Sequence, residues 1–186
     1  GNVEIQDLTN NILIKSQNIL YQELDGIIKS NTKSSIKDKL NNIFISDNFV
    51  YTLNDNIIKI SNAEIIGVEK DIFHIEKAYI NLLSNKLIGK NVSIDFNNND
   101  FNVNNEPRLK GRTIAYDKEQ SVVTKGVFTT CKRNDNCPPW EFSAKEIRHD
   151  RKKKTIYYKD AWLKIYDKPV FYFPKFFHPD PSVKRQ

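Results

Sequence analysis

The sequence predicts an all-β chain, and three observations carry that expectation. The first is alternation. Asn11-Ile12-Leu13-Ile14-Lys15, Asn42-Ile43-Phe44-Ile45-Ser46 and Ile57-Ile58-Lys59-Ile60-Ser61 are short runs rich in β-branched residues. At Ile58/Lys59/Ile60 and Phe73/His74/Ile75 a period of two puts the apolar residues on one face and Lys59 and His74 on the other. The second is punctuation. Asp25-Gly26, Asn54-Asp55-Asn56, Gly67, Ser84-Asn85 and Asn97-Asn98-Asn99-Asp100 fall between the runs, where turns belong. The third is repetition. Ile45, Ile60 and Ile75 are spaced by 15, as are Ile43, Ile58 and Phe73, Ala63 and Ala78, and Ile65 and Ile80. A unit of that length suits a strand, a turn and the start of the next strand, as in a β-solenoid or a jelly roll of stacked hairpins.

The first half is rich in Asn, Ile and Lys, a bias that an AT-rich genome produces, so its Asn content is read as compositional. The segment from Ser34 to Leu40 is the best helix candidate, but it is short and lacks an apolar stripe. In the second half, strands are expected at Arg108 to Asp117, Ser121 to Thr130, Trp140 to Asp150, Lys154 to Tyr166 and Val170 to Phe173. The basic run Arg151-Lys152-Lys153-Lys154 then falls at a hairpin tip. From Phe171 to Pro181 three prolines exclude a helix or a central strand. That stretch reads as an aromatic, extended connector.

At 186 residues one long all-β domain is expected, large enough to bury about 70% of its unfolded surface without a metal or staple. Mean hydropathy is −0.59 and no apolar run approaches the roughly 20 residues of a spanning helix. The chain opens at Gly1-Asn2, lacks Met, and closes on Ser182-Val183-Lys184-Arg185-Gln186, which reads as a fragment of a longer protein. The net charge of +6 suits a solvated basic face, an anionic lipid or a nucleic acid.

No catalytic residues are assigned. His74, His149 and His178 are scattered, and His149 and Asp150, adjacent on a strand, point to opposite faces. No Ser-His-Asp spacing, phosphate loop or zinc signature is present, so no enzyme, metal or cofactor is expected. Cys131 and Cys137 are two free thiols or a disulfide of an oxidising compartment, with Asn134-Asp135-Asn136 between them able to form a turn. The candidate ligand-facing residues are Ile12, Ile14, Ile43, Ile45, Ile58, Ile60, Phe73, Ile75, Val92 and Ile94, the apolar members of the alternating runs. They form a closed core or line a lipid groove; residues i and i+2 share a side in either case.

Several segments carry a family resemblance: Val127-Phe128-Thr129-Thr130-Cys131, Pro138–Asp150, Thr155–Ala161 and Lys168–Pro174. Their ordered combination resembles the LptD family of outer-membrane lipopolysaccharide-assembly proteins. His178-Pro179-Asp180-Pro181-Ser182-Val183-Lys184-Arg185 is similar to the alphaproteobacterial form just before its barrel. The upstream repeats, including Gly1-Asn2-Val3-Glu4-Ile5, resemble the OstA repeats shared with LptA and LptC. The resemblance implies a half-open, twisted β-jelly roll of stacked antiparallel strands over residues 1–168. Residues 169–186 would then be a connector to a C-terminal outer-membrane barrel. It implies a domain at the periplasmic face of the outer membrane whose apolar groove takes lipopolysaccharide acyl chains from LptA. The partners it implies are LptA, at an N-terminal edge placed at Val3 and Ile5, and the barrel with LptE. Cys131 stands at the family cysteine that bridges to the barrel; in this chain a Cys131–Cys137 bridge is expected. Two rival readings are kept: a basic nucleic-acid-binding domain, favoured by the pI of about 9.2 and the aromatic residues, and a structural β-solenoid. Nucleic acid is not expected as a partner, because no RNP-like motif is present and the basic run sits at one tip.

Overall fold

A computed structural model of the chain describes residues 2–67, 70–96, 106–132, 139–180 and 183. Among these residues the regular structure is all β, with fifteen strands and no helix, and their antiparallel stacking is consistent with a jelly-roll-like fold. Two compact units divide the chain, Gly1–Lys90 and Asn91–Gln186.

The first unit starts with β1 (Val3–Asp7), β2 (Ile12–Ser16), β3 (Leu20–Gln22), β4 (Ile27–Ser30) and β5 (Ser34–Lys37). It continues with β6 (Ile43–Ser46), β7 (Asn48–Thr52), β8 (Ile57–Ile66) and β9 (Ile72–Asn81). The segment from Ser34, the helix candidate, is a strand. Its Ser34 and Ile36 are buried in alternation, a period of two that outweighs helix propensity. These strands form two arms that meet on β8. Residues Ile57–Ser61 pair with β7, which pairs with β4 and then β3. Beyond Asn62, residues Glu64–Ile66 pair with β6, which leads through β5 and β2 to β1.

Asn62 has φ 47, and this single left-handed residue bends β8 between the arms. Asparagine tolerates that conformation better than most L-residues. Asn11, Asn41, Asn56 and Asn85 occupy the same region of φ at turns. Part of the asparagine bias is therefore structural.

The bend explains the 15-residue repeat. In β8 the buried residues are Ile58, Ile60, Ala63 and Ile65; in β9 they are Phe73, Ile75, Ala78 and Ile80. Each set runs two apart, then three across the bend, then two again, and the second set is the first displaced by 15. A small residue, Ala63 in β8 and Ala78 in β9, follows each three-residue step.

The second unit takes in the end of β10 (Lys86–Asp95), then β11 (Arg108–Tyr116), β12 (Gln120–Thr129) and β13 (Trp140–Asp150). It closes with β14 (Thr155–Ile165) and β15 (Lys168–Pro179). From β11 to β15 each strand pairs antiparallel with the next. Left-handed residues recur at Asn91 in β10, Lys125 in β12 and Asp160 in β14. Small residues follow two of these bends, Gly126 after Lys125 and Ala161 after Asp160, and both pair with buried Ala144 of β13. As the sequence predicts, Arg151–Lys154 is the turn between β13 and β14.

Lys168–Pro179 is a strand paired along its length with β14. Pro169, Pro174 and Pro179 are compatible with this because β15 is the last strand of the order, and an edge strand needs its N–H groups on one side only. The exclusion of a central strand holds, and the strand expected at Val170 to Phe173 runs longer than the sequence predicts.

Candidate functional site

In the first unit Ile12, Ile14, Ile58, Ile60, Phe73 and Ile75 are all buried, none more than 5% exposed. They pack with Ile36, Phe44 and Phe49, which the sequence reading did not select. Ile43 and Ile45 depart from the set. On β6 the buried positions are Phe44 and Ser46, so the two isoleucines lie on the other side of the strand. The pairing of Phe44 with Ile36 and Ile65 fixes that phase, and a slip of one residue exchanges the faces. The 15-residue spacing that selected Ile45 holds between β8 and β9 but does not extend to the short β6. Val92 and Ile94, on β10, are buried with Phe96 in the second unit.

Polar groups tie the two arms of the first unit. The Tyr51 hydroxyl of β7 donates to Asp7 Oδ2 at 2.5 Å, and the Asn10 amide lies 2.9 Å from Tyr51 Oη and 2.8 Å from Asn56 Oδ1. Burial alone would raise the Asp7 pKa. The hydrogen bonds from Tyr51, from the Asn10 side chain and from the Asn10 and Thr9 backbones outweigh it and hold the carboxyl below its ordinary 3.8. Burial, and then Asp7 itself, keep the Tyr51 phenol protonated far above its usual range.

A second tie is made of hydroxyls. Ser16 Oγ lies 2.9 Å from Ser30 Oγ and 3.0 Å from Thr32 Oγ1, and the Ser34 hydroxyl donates to Ser16 at 2.9 Å. Ser46 is opposite Ser34 in register; its Oγ is buried and without a hydrogen-bond partner among the described residues.

The Asp7 clasp yields a pH prediction. A depressed carboxyl pKa contributes stability that is fully present above the unfolded value and is lost as pH falls through the lower folded value. In a Tyr51→Phe variant the strongest donor is gone, so Asp7 should titrate higher, toward its ordinary value. Carboxyl NMR titration of both proteins checks this; an unchanged Asp7 midpoint would show that Tyr51 does not hold the carboxylate.

The predicted partner edge, Val3 and Ile5, lies on β1, which pairs with β2 through Val3–Ser16 and Ile5–Ile14 and begins the strand order. Val3 is exposed and Ile5 half-buried. A second edge, which the sequence reading missed, is β3, paired with β4 alone among the described strands. Its three residues were too few to stand out.

In the second unit an aromatic cluster surrounds Phe128, with the rings of Phe96, Trp140, Tyr158 and His178 within 6.4 Å. Tyr158 Oη is 2.8 Å from His178 Nε2, and the buried His149 ring lies against the Asp180 carboxyl. Burial lowers the His178 pKa, and His149 adds to that effect; the Pro179 carbonyl and Asp180 oppose it. Burial raises the Tyr158 phenol pKa. Cys131 is half-buried, its Sγ 3.6 Å from the Trp140 carbonyl. Cys137 lies outside the described residues, and with it the predicted bridge.

Among the described residues no group of three or more His, Cys, Asp or Glu could hold a metal, and no helix is long and apolar enough to cross a membrane. No family model matches the chain. The LPS-assembly protein LptD of Pasteurella multocida (strain Pm70) is 32% identical to it over 81 residues, which are 43% of this chain and 10% of the relative. The chain thus matches about a tenth of the length of that protein. The match does not reach the narrower alphaproteobacterial form suggested by the closing residues. Fold and match together establish an all-β domain with partial sequence similarity to LptD.

Proposed function

We propose that the chain is a non-catalytic domain for lipopolysaccharide transport, acting at the periplasmic face of the outer membrane. Its apolar strand face receives acyl chains from LptA and passes them to an outer-membrane barrel that works with LptE. The observation that carries this reading is the row of inward apolar residues on stacked antiparallel strands, beside the sequence match to an LPS-assembly protein. An acyl chain of about twelve carbons costs on the order of 10 kcal/mol to expose to water, so a carrier needs many apolar residues in register. Ile12, Ile14, Ile58, Ile60, Phe73 and Ile75 supply them in the first unit.

These side chains are buried within the first unit, so lipid entry requires its arms to part. The ties at Asp7–Tyr51 and Ser16–Ser30 are polar and can exchange their partners for water at small net cost. Val3 and Ile5 on the open edge of β1 suit strand addition by LptA. Photocrosslinking from Ile60 and Ile75 to purified lipopolysaccharide tests the reading, with exposed Lys59 as the outward control. Crosslinks from both isoleucines, competed away by free lipid A and absent from Lys59, are expected. A folded protein that crosslinks from neither isoleucine would make this face a closed core.

A further inference from the structure

The outward face of the β14–β15 hairpin is built in rows. Trp162 stands opposite Tyr172 with ring centroids 5.1 Å apart, and Tyr157 opposite Phe177 at 6.0 Å. Between these pairs Lys159 stands opposite Lys175, and both are exposed. Like charges placed directly across an antiparallel pair repel, and rings paired only with one another across the strands leave an apolar patch in water. Glu146 is next in the row, one carboxylate against two ammonium groups, and neither lysine makes an ion pair among the described residues. The adjacent Asp160 is engaged by the Tyr172 hydroxyl at 3.1 Å.

The tip of the hairpin exposes Ile165 and Tyr166 too, beside the charged Asp167 and Lys168. Ile165 pairs with Lys168 across a two-residue turn in which Tyr166 and Asp167 both have positive φ, the geometry of a type I′ turn. Such turns favour Asn and Gly at these places. Tyr166 is strained there by its positive φ and is 64% exposed, and Phe171, just beyond, is 59% exposed, so neither ring gains much burial from folding.

We propose that this hairpin is an anchor for the surface of an anionic lipid bilayer. Tyrosine and tryptophan are favoured at the boundary between head groups and acyl chains, where one end of the ring is wet and the other dry. Lysines on the same face reach anionic head groups, and an anionic surface relieves the repulsion between Lys159 and Lys175. Charge complementarity therefore selects this occupant: an uncharged apolar partner would bury two opposed ammonium groups without counter-charge. The inference concerns the outside of the sheet and stands apart from the lipid-carrying role of its inside.

The test is co-sedimentation of the full 186-residue chain with vesicles of phosphatidylcholine, alone or mixed with phosphatidylglycerol. Binding to the anionic vesicles and not the neutral ones is expected, weakening as salt rises. A Lys159→Gln/Lys175→Gln variant should bind roughly 30-fold more weakly, the loss expected for two lysines near an anionic surface. Lys33→Gln/Lys37→Gln, with the same change in net charge at exposed positions of the first unit, should bind as the parent does. Tyr166→Asn suits the turn better than tyrosine, so it should fold at least as well and still bind more weakly. The proposal is overturned if neutral vesicles bind equally, if neither vesicle binds, if the Lys33/Lys37 pair loses as much as the Lys159/Lys175 pair, or if Tyr166→Asn leaves binding unchanged.

Discussion

Replacing Phe128 by alanine is expected to destabilise the chain by about 3–5 kcal/mol, the range for a buried phenylalanine lost from a close-packed site. Phe128 is 1% exposed, and four rings surround it: Phe96, Trp140, Tyr158 and His178. They come from β13, β14, β15 and the residue after β10, and rigid rings held by separate elements cannot all move in to fill the space. Their edge-on and tilted arrangements add to the loss, at about 0.5–1.5 kcal/mol for a favourable aromatic pair. Phe128→Leu keeps most of the volume and should cost far less. Urea denaturation of the three proteins measures both; equal losses for Leu and Ala would mean that ring shape, and not filled volume, governs the site.

Gly111→Ala is expected to cost about 1–3 kcal/mol, although it adds one methyl group. A Cβ at Gly111 would stand 2.0 Å from Val123 Cγ1 and 3.1 Å from the Thr124 carbonyl oxygen. Valine is stiff about χ1 and the carbonyl belongs to the ladder, so neither neighbour yields readily. Gly126→Ala makes the contrast. Its nearest neighbour, at 2.7 Å, is Ile147 Cδ1, the far end of a side chain that can turn away. Its cost should be visibly smaller. In a double variant Val123→Ala should recover part of the Gly111→Ala loss, a coupling that a thermodynamic cycle isolates. Additive losses would show that the strain at Gly111 lies elsewhere.

Legibility in the sequence followed how long a local pattern ran. The long strands β8, β9, β13 and β14 announced themselves through alternation, and the basic turn at Arg151–Lys154 through its flanks. The bends were hidden. A period of two breaks wherever Asn62, Lys125 or Asp160 takes left-handed backbone, and the break looks like noise until the paired strand is known. The phase of β6 was hidden for another reason. Ile43, Phe44 and Ile45 are all apolar, so only pairing with Ile36 and Ile65 decides which of them turns inward. Proline at positions 174, 179 and 181 argued against a central strand, and β15 at an edge is consistent with that. Among the candidate residues, inward placement at Ile12, Ile14, Ile58, Ile60, Phe73 and Ile75 was readable from their neighbours. The clasp of Asp7, Asn10 and Tyr51 joins residues more than 40 positions apart, a separation no local pattern spans.

Within the strands of the second unit, left-handed residues fall at Asn91, Lys125 and Asp160, on β10, β12 and β14. A change in chain length therefore has two very different outcomes. Removing one residue between a bend and its neighbouring turn would put every later side chain of that strand on the wrong side. Removing or duplicating a whole hairpin would leave each remaining strand with its bend and its phase intact. Homologues of this chain should therefore differ in length by pairs of strands and by loop residues, and hardly ever by single residues inside a strand.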